Sequence, residues 1–139
     1  MDELVEWLRA QLDEDERIAR RAGDTFRQIG ETGVIVATEG DRAEECASAN
    51  WAGVAEHIVT HDPARVRRDI DANRRRLERH TPTMMVGYDS NENDPSTYVL
   101  GCPTCQVTVV HEGDWPCEEV RDMLVSFADR PGYREDWRP

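Results

Sequence analysis

The chain has 139 residues, of which 38% are hydrophobic, so it is long enough for one domain with a modest core. No apolar run approaches the roughly 20 residues of a membrane-spanning helix, and the acidic N-terminus is unlike a signal peptide, so we expect a cytoplasmic protein with reduced thiols. The formal net charge of −12 argues against general binding to DNA or RNA, because neutralisation of phosphates dominates such binding.

A helix and a β-hairpin are predicted at the N-terminus. Leu4, Leu8 and Leu12 recur at four-residue spacing, which predicts an amphipathic helix over residues 2–22. The apolar stripe of this helix is expected to continue through Ile18, Ala19 and Ala22. Residues 24–39 predict a hairpin, since two runs rich in β-branched residues flank a loop of turn-forming residues.

A loop and a second helix are predicted to follow. The charged segment 40–45 predicts a loop, and Cys46 is expected to be a small packed core residue. Residues 47–60 predict a helix. Its apolar face would carry Trp51, Val54, Ala55 and Ile58.

The third predicted helix, residues 63–79, is rich in arginine. Asp62 and Pro63 supply an N-cap and a first-turn residue, which makes its start well defined. The arginines could form a surface that touches nucleic acid, but acidic residues dilute them and no aromatic residues alternate with them. A solvated face, or ion pairs with the acidic first helix, is the simpler interpretation.

The C-terminal half alternates loops with short elements. Residues 81–96 predict a loop rich in Pro, Asn and Asp, in which residues 84–86 are expected to pack inward. Residues 97–100 and 106–110 predict short strands, and residues 118–125 predict a helix.

Three cysteines lie within sixteen residues of this half. The turn between Cys102 and Cys105 can supply two thiolates from one tight loop, and Cys117 stands at the opening of the last predicted helix. Three buried thiols, a disulfide with one spare thiol, or a redox pair are the alternatives. Strand, Cys-x2-Cys turn and helix together resemble a treble-clef zinc module, and we predict a structural Zn²⁺ site.

The fourth ligand is open from the residues alone. His111 would complete a compact knuckle within the module, whereas His80 ends the long helix and could link that helix to the module. Cys46 is a third, more distant candidate. A catalytic zinc would need an open coordination position and a nearby general base. The sequence offers four plausible ligands and no His/Glu pair at helical spacing, which favours a closed, structural site.

Several segments resemble a family of uncharacterised small proteins from Streptomyces and related actinobacteria, also carried by their phages. The segments are 4–16, 55–58, 61–66, 74–77 with His80, 102–105, 115–117 and the distinctive ending 128–139, and the likeness covers about two-thirds of the chain. The resemblance implies the ligand set His80, Cys102, Cys105 and Cys117, and it implies no activity. His111 and Cys46 lie outside the family pattern.

We therefore expect an α+β fold with three to four helices, a small β-hairpin and a treble-clef-like zinc module. A single domain over 1–139 would comprise a helical part with the hairpin (1–80), the zinc module (97–128) and a tail (129–139). The tail is expected to pack back onto the domain, because exposed Tyr133 and Trp137 would be costly.

The function predicted from this pattern is that of a zinc-stabilised adaptor that binds another protein and is not an enzyme. The exposed surface of the first helix and the C-terminal aromatic residues are the expected contacts. Two alternatives are a nucleic-acid-associated regulator using helix 63–79, and a zinc hydrolase with Glu112 or Asp114 as base. The sequence does not indicate the partner, the oligomeric state, or a host or phage origin.

Overall fold

A computed structural model describes residues 2–106 and 109–139 of the chain. Within these ranges it has four α-helices and five β-strands, all antiparallel within two small sheets, which confirms the predicted α+β class. The helices are α1 (Glu3–Arg21), α2 (Ala52–Thr60), α3 (Pro63–Arg79) and α4 (Glu118–Val125). The strands are β1 (Thr25–Gln28), β2 (Val34–Glu39), β3 (Arg42–Ser48), β4 (Thr83–Met85) and β5 (Val99–Gly101).

The chain divides into two compact units. One comprises the described residues of Met1–Gln11 and Asn73–Pro139, and the other comprises Leu12–Ala72. The expected single domain stays a prediction. Among the described residues, no helix combines the length and the apolar character that crossing a membrane requires. The strand predicted over 106–110 falls partly on residues 107–108, which lie outside the described residues.

The unit Leu12–Ala72 contains a three-stranded sheet in the order β1-β2-β3. The predicted hairpin is present as β1 and β2, with Thr25 opposite Thr38 and Gln28 opposite Ile35. Ile35 is fully buried, so the most apolar strand of the chain forms the centre of this sheet.

The segment after the hairpin differs from the prediction. Residues Arg42–Ser48 form strand β3 although every residue of it is exposed, because its backbone pairs with β2 after a turn at Gly40 with φ of 57°. Ile35 pairs with Ala47 and Val36 with Glu45, so Cys46 is the extra residue of a bulge and is exposed. The prediction of Cys46 as a packed core residue was therefore wrong.

Two predicted helices also need correction at the residue level. Helix α2 begins at Ala52 rather than at residue 47, because β3 occupies the preceding residues and Trp51 is its N-cap with a 65% exposed side chain. In α1 the leucines at positions 4, 8 and 12 are buried as predicted, but Ile18 is 52% exposed. Periodicity identified the helices but not which apolar residues find a packing partner.

Helix α3 has the predicted bounds, Pro63–Arg79. The Asp62 side chain accepts hydrogen bonds from the backbone N–H of Arg65 at 2.9 Å and of Phe26 at 3.2 Å. One side chain therefore caps α3 and fixes the beginning of β1 against it.

The other unit has a two-stranded sheet of β4 and β5, in which Thr83 lies opposite Gly101. The loop predicted over residues 81–96 thus contains a strand. Met85 is half-buried, but Met84 is 57% exposed and Val86 is 43% exposed, which contradicts the expected inward packing of residues 84–86. The alternation of an extended segment sends neighbouring side chains to opposite faces.

The C-terminal segment lies against the first turns of α1 in this unit. The ring centroids of Trp7 and Trp137 are 5.2 Å apart, and the indole N–H of Trp7 donates to the backbone carbonyl of Pro131 at 3.2 Å. A Cβ on Gly132, which has φ of 90°, would lie 2.5 Å from that indole nitrogen. Trp137 is only 7% exposed, so its indole is an internal packing group rather than a free contact surface.

Candidate metal centre

The structure brings together His80, Cys102, Cys105 and Cys117, the four residues of the predicted ligand set. They come from three places in one unit: the end of α3, the turn after β5 and the start of α4. His80 is 22 residues from Cys102 in sequence, so the cluster joins the end of α3 to a module that does not follow it directly.

Helix α3 positions His80. The backbone N–H of His80 lies 3.1 Å from the carbonyl oxygens of both Arg76 and Leu77, so His80 continues the last turn of the helix. The hydroxyl of Thr81 donates to the carbonyl of Leu77 at 3.0 Å, and the Leu77 side chain is 1% exposed. The imidazole therefore stands on an anchored helix end and is itself 8% exposed.

A tight turn positions Cys102 and Cys105. The backbone N–H of Gln106 donates to the carbonyl of Cys102 at 2.9 Å, which closes the turn over the two thiols. The hydroxyl of Thr104 donates to the carbonyl of Arg79, so the turn is also tied to the end of α3. Side-chain and backbone hydrogen bonds thus set the turn and the helix end side by side.

The N-terminus of α4 positions Cys117, which is the N-cap residue. The guanidinium of Arg121 donates to the carbonyl of Pro116 at 3.0 Å and to that of Asp136 at 2.8 Å, and so connects this corner to the tail. Val120 and Leu124 are fully buried and fix the helix beneath it. The positive end of a helix dipole favours a thiolate at this position.

The distances within the cluster fit a tetrahedral metal ion. Nδ1 of His80 lies 3.4 Å from Sγ of Cys102, 3.3 Å from Sγ of Cys105 and 3.8 Å from Sγ of Cys117. All four ligand atoms lie within 4.8 Å of one another. In an ideal zinc site, Zn–S and Zn–N bonds of about 2.3 and 2.1 Å place S and N about 3.6 Å apart. The four residues could therefore hold one metal ion.

The thiols are in a setting that favours their neutral form unless a cation is present. The pKa of Cys117 is raised to about 12, mainly by burial and also by the neighbouring Cys102, while a hydrogen bond from the Val120 backbone opposes the rise. Burial also raises the pKa of Cys105, with a smaller contribution from Cys102. No disulfide joins any of the four cysteines. Three adjacent thiols and an imidazole nitrogen match the ligand preference of zinc and other soft metals.

An ion pair braces two of these elements outside the cluster. Arg76 of α3 and Glu119 of α4 are 2.7 Å apart, and the guanidinium lowers the pKa of the Glu119 carboxyl. This brace, and the Thr104 and Arg121 hydrogen bonds above, were not predicted. Apart from the Arg121 bond to Pro116, each joins residues at least fifteen positions apart, so no local pattern could have indicated them.

The other two candidate ligands lie elsewhere. His111 is exposed, and its ring stacks on Tyr88 with centroids 5.6 Å apart. Cys46 is exposed on β3 and belongs to the unit Leu12–Ala72. Among the described residues, the cluster that could hold a metal contains neither of them.

Comparison with known proteins identifies a family whose function is unknown. Neither the curated proteins nor the solved structures contain a match to this chain. One family model, described as a family of unknown function (DUF6221), matches residues 1–139. Because the match spans the whole chain, the protein belongs to the DUF6221 family of unknown function.

Proposed function

We propose that His80, Cys102, Cys105 and Cys117 bind one structural Zn²⁺ ion. The observation that carries the proposal is the set of His80 Nδ1 to sulfur distances of 3.3–3.8 Å, which brackets the spacing of a tetrahedral zinc site. When bound, the ion would supply a positive charge that holds three thiolates at one point. The end of α3, the Cys-x2-Cys turn and the start of α4 would then be cross-linked.

We further propose that the protein is a non-catalytic adaptor that binds another protein in the cytoplasm. Four protein ligands complete a tetrahedron, which leaves no coordination position for the water that a zinc hydrolase activates. The resemblance of the chain to small proteins of actinobacteria and their phages supports an actinobacterial host. The same resemblance implies no enzymatic activity.

Arginines of α3 are engaged in ion pairs, which does not favour the nucleic-acid alternative. Arg65 pairs with Asp69 at 3.9 Å. Arg76 pairs with Glu119 at 2.7 Å. Together with the net charge of −12, these pairs reduce the positive field that a phosphate backbone would meet.

The metal proposal is tested by native mass spectrometry of the purified chain. We expect one zinc ion in the wild type and in His111→Ala, and none in His80→Ala. His80→Cys is the second variant, because a four-thiolate site is also a stable zinc site and should retain the ion. Retention of zinc by His80→Ala, together with its loss from His111→Ala, would replace the proposed ligand set with a self-contained knuckle.

The adaptor proposal is tested by affinity capture from an actinobacterial lysate. The bait is the zinc-loaded chain, and an acidic protein of similar charge density is the control for non-specific binding. We expect one protein enriched by the zinc-loaded chain and not by the chelated chain. Equal recovery on the charge control would contradict a specific adaptor.

A further inference from the structure

A row of exposed apolar side chains lies on the segment that begins with β4, in the unit that holds the metal cluster. Met84, Val86 and Tyr88, which we call the outer row, are 57%, 43% and 72% exposed. They alternate with half-buried Met85 and buried Gly87. Strand β4 ends at Met85 and Gly87 bridges to Val110, so alternation along this extended stretch places Met84 and Val86 on one face, and Tyr88 begins the turn that follows.

The opposite face of this segment is closely packed. A Cβ on Gly87 would lie 2.7 Å from Cγ2 of Val99, and a Cβ on Gly101 would lie 3.1 Å from Sδ of Met85. The backbone N–H of Tyr88 donates to the carbonyl of Val110 at 2.9 Å. These contacts fix the segment, so the outer row cannot turn inward without displacing them.

The segment that bridges to Gly87 also carries an exposed apolar residue. Val110 bridges to Gly87, and the adjacent Val109 is 50% exposed. His111 stacks on the Tyr88 ring with an interplanar angle of 29°, which holds the phenol ring in place. An ordered apolar surface of this kind is unusual on a chain with 33% charged residues, and such patches commonly mark interaction sites.

The charge of this region indicates what could cover the surface. Residues 80–120 contain no Lys or Arg, whereas Asp and Glu occur seven times among them. Asp89, Glu92 and Asp94 directly follow the outer row in the chain, and all three are exposed. Three thiolates with one Zn²⁺ would add a further net negative charge to the same unit. A partner that buries the outer row therefore needs positive charge to match this field.

We propose that the outer row is the docking surface for an extended, basic segment of another protein, with apolar residues at every second position and Lys or Arg between them. Alternate residues of an extended segment are about 7 Å apart, which is the repeat expected between Met84 and Val86. The apolar side chains contact Met84, Val86 and Tyr88, and the basic side chains pair with carboxylates of the following loop. This inference rests on the proposed adaptor function and specifies its surface and partner class.

The test uses the zinc-loaded chain and a random-peptide display library. We expect the enriched peptides to carry net positive charge and apolar residues at every second position. The double variant Met84→Ser/Val86→Ser should weaken binding of these peptides by about tenfold or more, measured by fluorescence anisotropy. The matched control is Ile18→Ser/Ile29→Ser, which removes side chains that are 52% and 42% exposed in the other unit and should leave binding unchanged.

Several results would overturn the inference. The inference is wrong if the enriched peptides are acidic or have helical apolar spacing. It is also wrong if the peptides bind Met84→Ser/Val86→Ser as well as wild type, or if the library yields no enriched peptide. Sedimentation that shows a wild-type dimer and a monomeric Met84→Ser/Val86→Ser variant would assign the surface to a second copy of the chain instead.

The same variants separate this inference from the adaptor proposal. If the lysate partner binds wild type and Met84→Ser/Val86→Ser equally, the adaptor proposal stands and the outer row is not its surface. If no lysate protein binds specifically but basic peptides bind wild type and not the double variant, the surface stands and the adaptor proposal is contradicted.

Discussion

Each of the two units of this protein is stabilised internally, and the two are stabilised by different means. In Leu12–Ala72 three strands share a ladder of backbone hydrogen bonds, and Ile35 and Val36 are buried at its centre. In the other unit the paired strands β4 and β5 have only three residues each. Side chains supply further connections there: buried apolar residues such as Val120 and Leu124, the thiol and imidazole cluster, and the Trp7, Tyr133 and Trp137 rings.

This difference shows what the segments of each unit need in order to fold. Strand β3 is exposed throughout and has no apolar face, yet it forms because β2 offers it a backbone partner along its length. The segments around the cysteines have no such ladder, so their conformational entropy must be offset by a few strong cross-links. We therefore expect the two units to respond differently when those cross-links are removed.

Metal removal should have the largest effect, and it should affect the two units differently. Chelation or Cys117→Ser would remove the proposed zinc cross-link; the free energy of zinc binding in zinc-finger peptides is about 10–16 kcal/mol. In hydrogen exchange, we expect amides of β5, the Cys-x2-Cys turn and α4 to lose protection while amides of β1 and β2 keep theirs. Uniform loss of protection over both units would show that the sheet also depends on the metal.

Trp137→Ala should have the next largest effect. The indole is 7% exposed and lies 5.2 Å from Trp7, so its removal leaves a cavity that typically costs about 3–5 kcal/mol. Urea unfolding measures the loss. Trp51→Ala is the matched control, since Trp51 is 65% exposed and its removal should cost less than about 0.5 kcal/mol. Similar losses for both would contradict the packing of the tail.

Alkaline pH should distinguish the metal-free protein from the zinc-loaded one. In the metal-free fold, burial raises the pKa of Cys117 from about 9 to about 12, so the folded state holds this proton more tightly than the unfolded state. Its contribution to stability is complete below pH 9 and is lost as the pH rises toward 12. Zinc-bound thiolates have no proton to lose, so the zinc-loaded protein should lack this alkaline decline and instead release metal in acid.

The measurement for this prediction is the urea midpoint as a function of pH, with and without zinc. Cys117→Ser without zinc is the control, because its hydroxyl does not titrate in this range. A metal-free wild type whose midpoint does not fall between pH 9 and 12 would show that this thiol is buried only when the metal is bound.

Cys46→Ser should have the smallest effect. Cys46 is an exposed bulge residue and lies outside the metal cluster, so we expect a change within about 0.5 kcal/mol and an unchanged zinc content. Thermal unfolding and native mass spectrometry check these two expectations. Loss of zinc from Cys46→Ser would contradict the proposed ligand set.

Much of the fold followed from local patterns. The bounds of α3 and α4 are those predicted, and for α3 the reason is local, because Asp62-Pro63 is a strong signal for a helix start. Strand β3 and the position of Cys46 could not be predicted, because the segment has no apolar alternation and its pairing depends on β2. The alternation of Met84, Val86 and Tyr88 was a sequence signal for the outer row. The Pro, Asn and Asp residues of the surrounding loop obscured this signal.

The sequence by itself determined the helices, the hairpin and the identity of three cysteines that could share a metal. Periodicity, caps and cysteine spacing are local properties, and local interactions decide them. Only the tertiary structure decided that His80 rather than His111 meets those cysteines, that Trp137 packs on Trp7, and that the outer row stays exposed. Each of these outcomes depends on which distant backbone segments come together, and contacts of that kind leave no periodic trace in the chain.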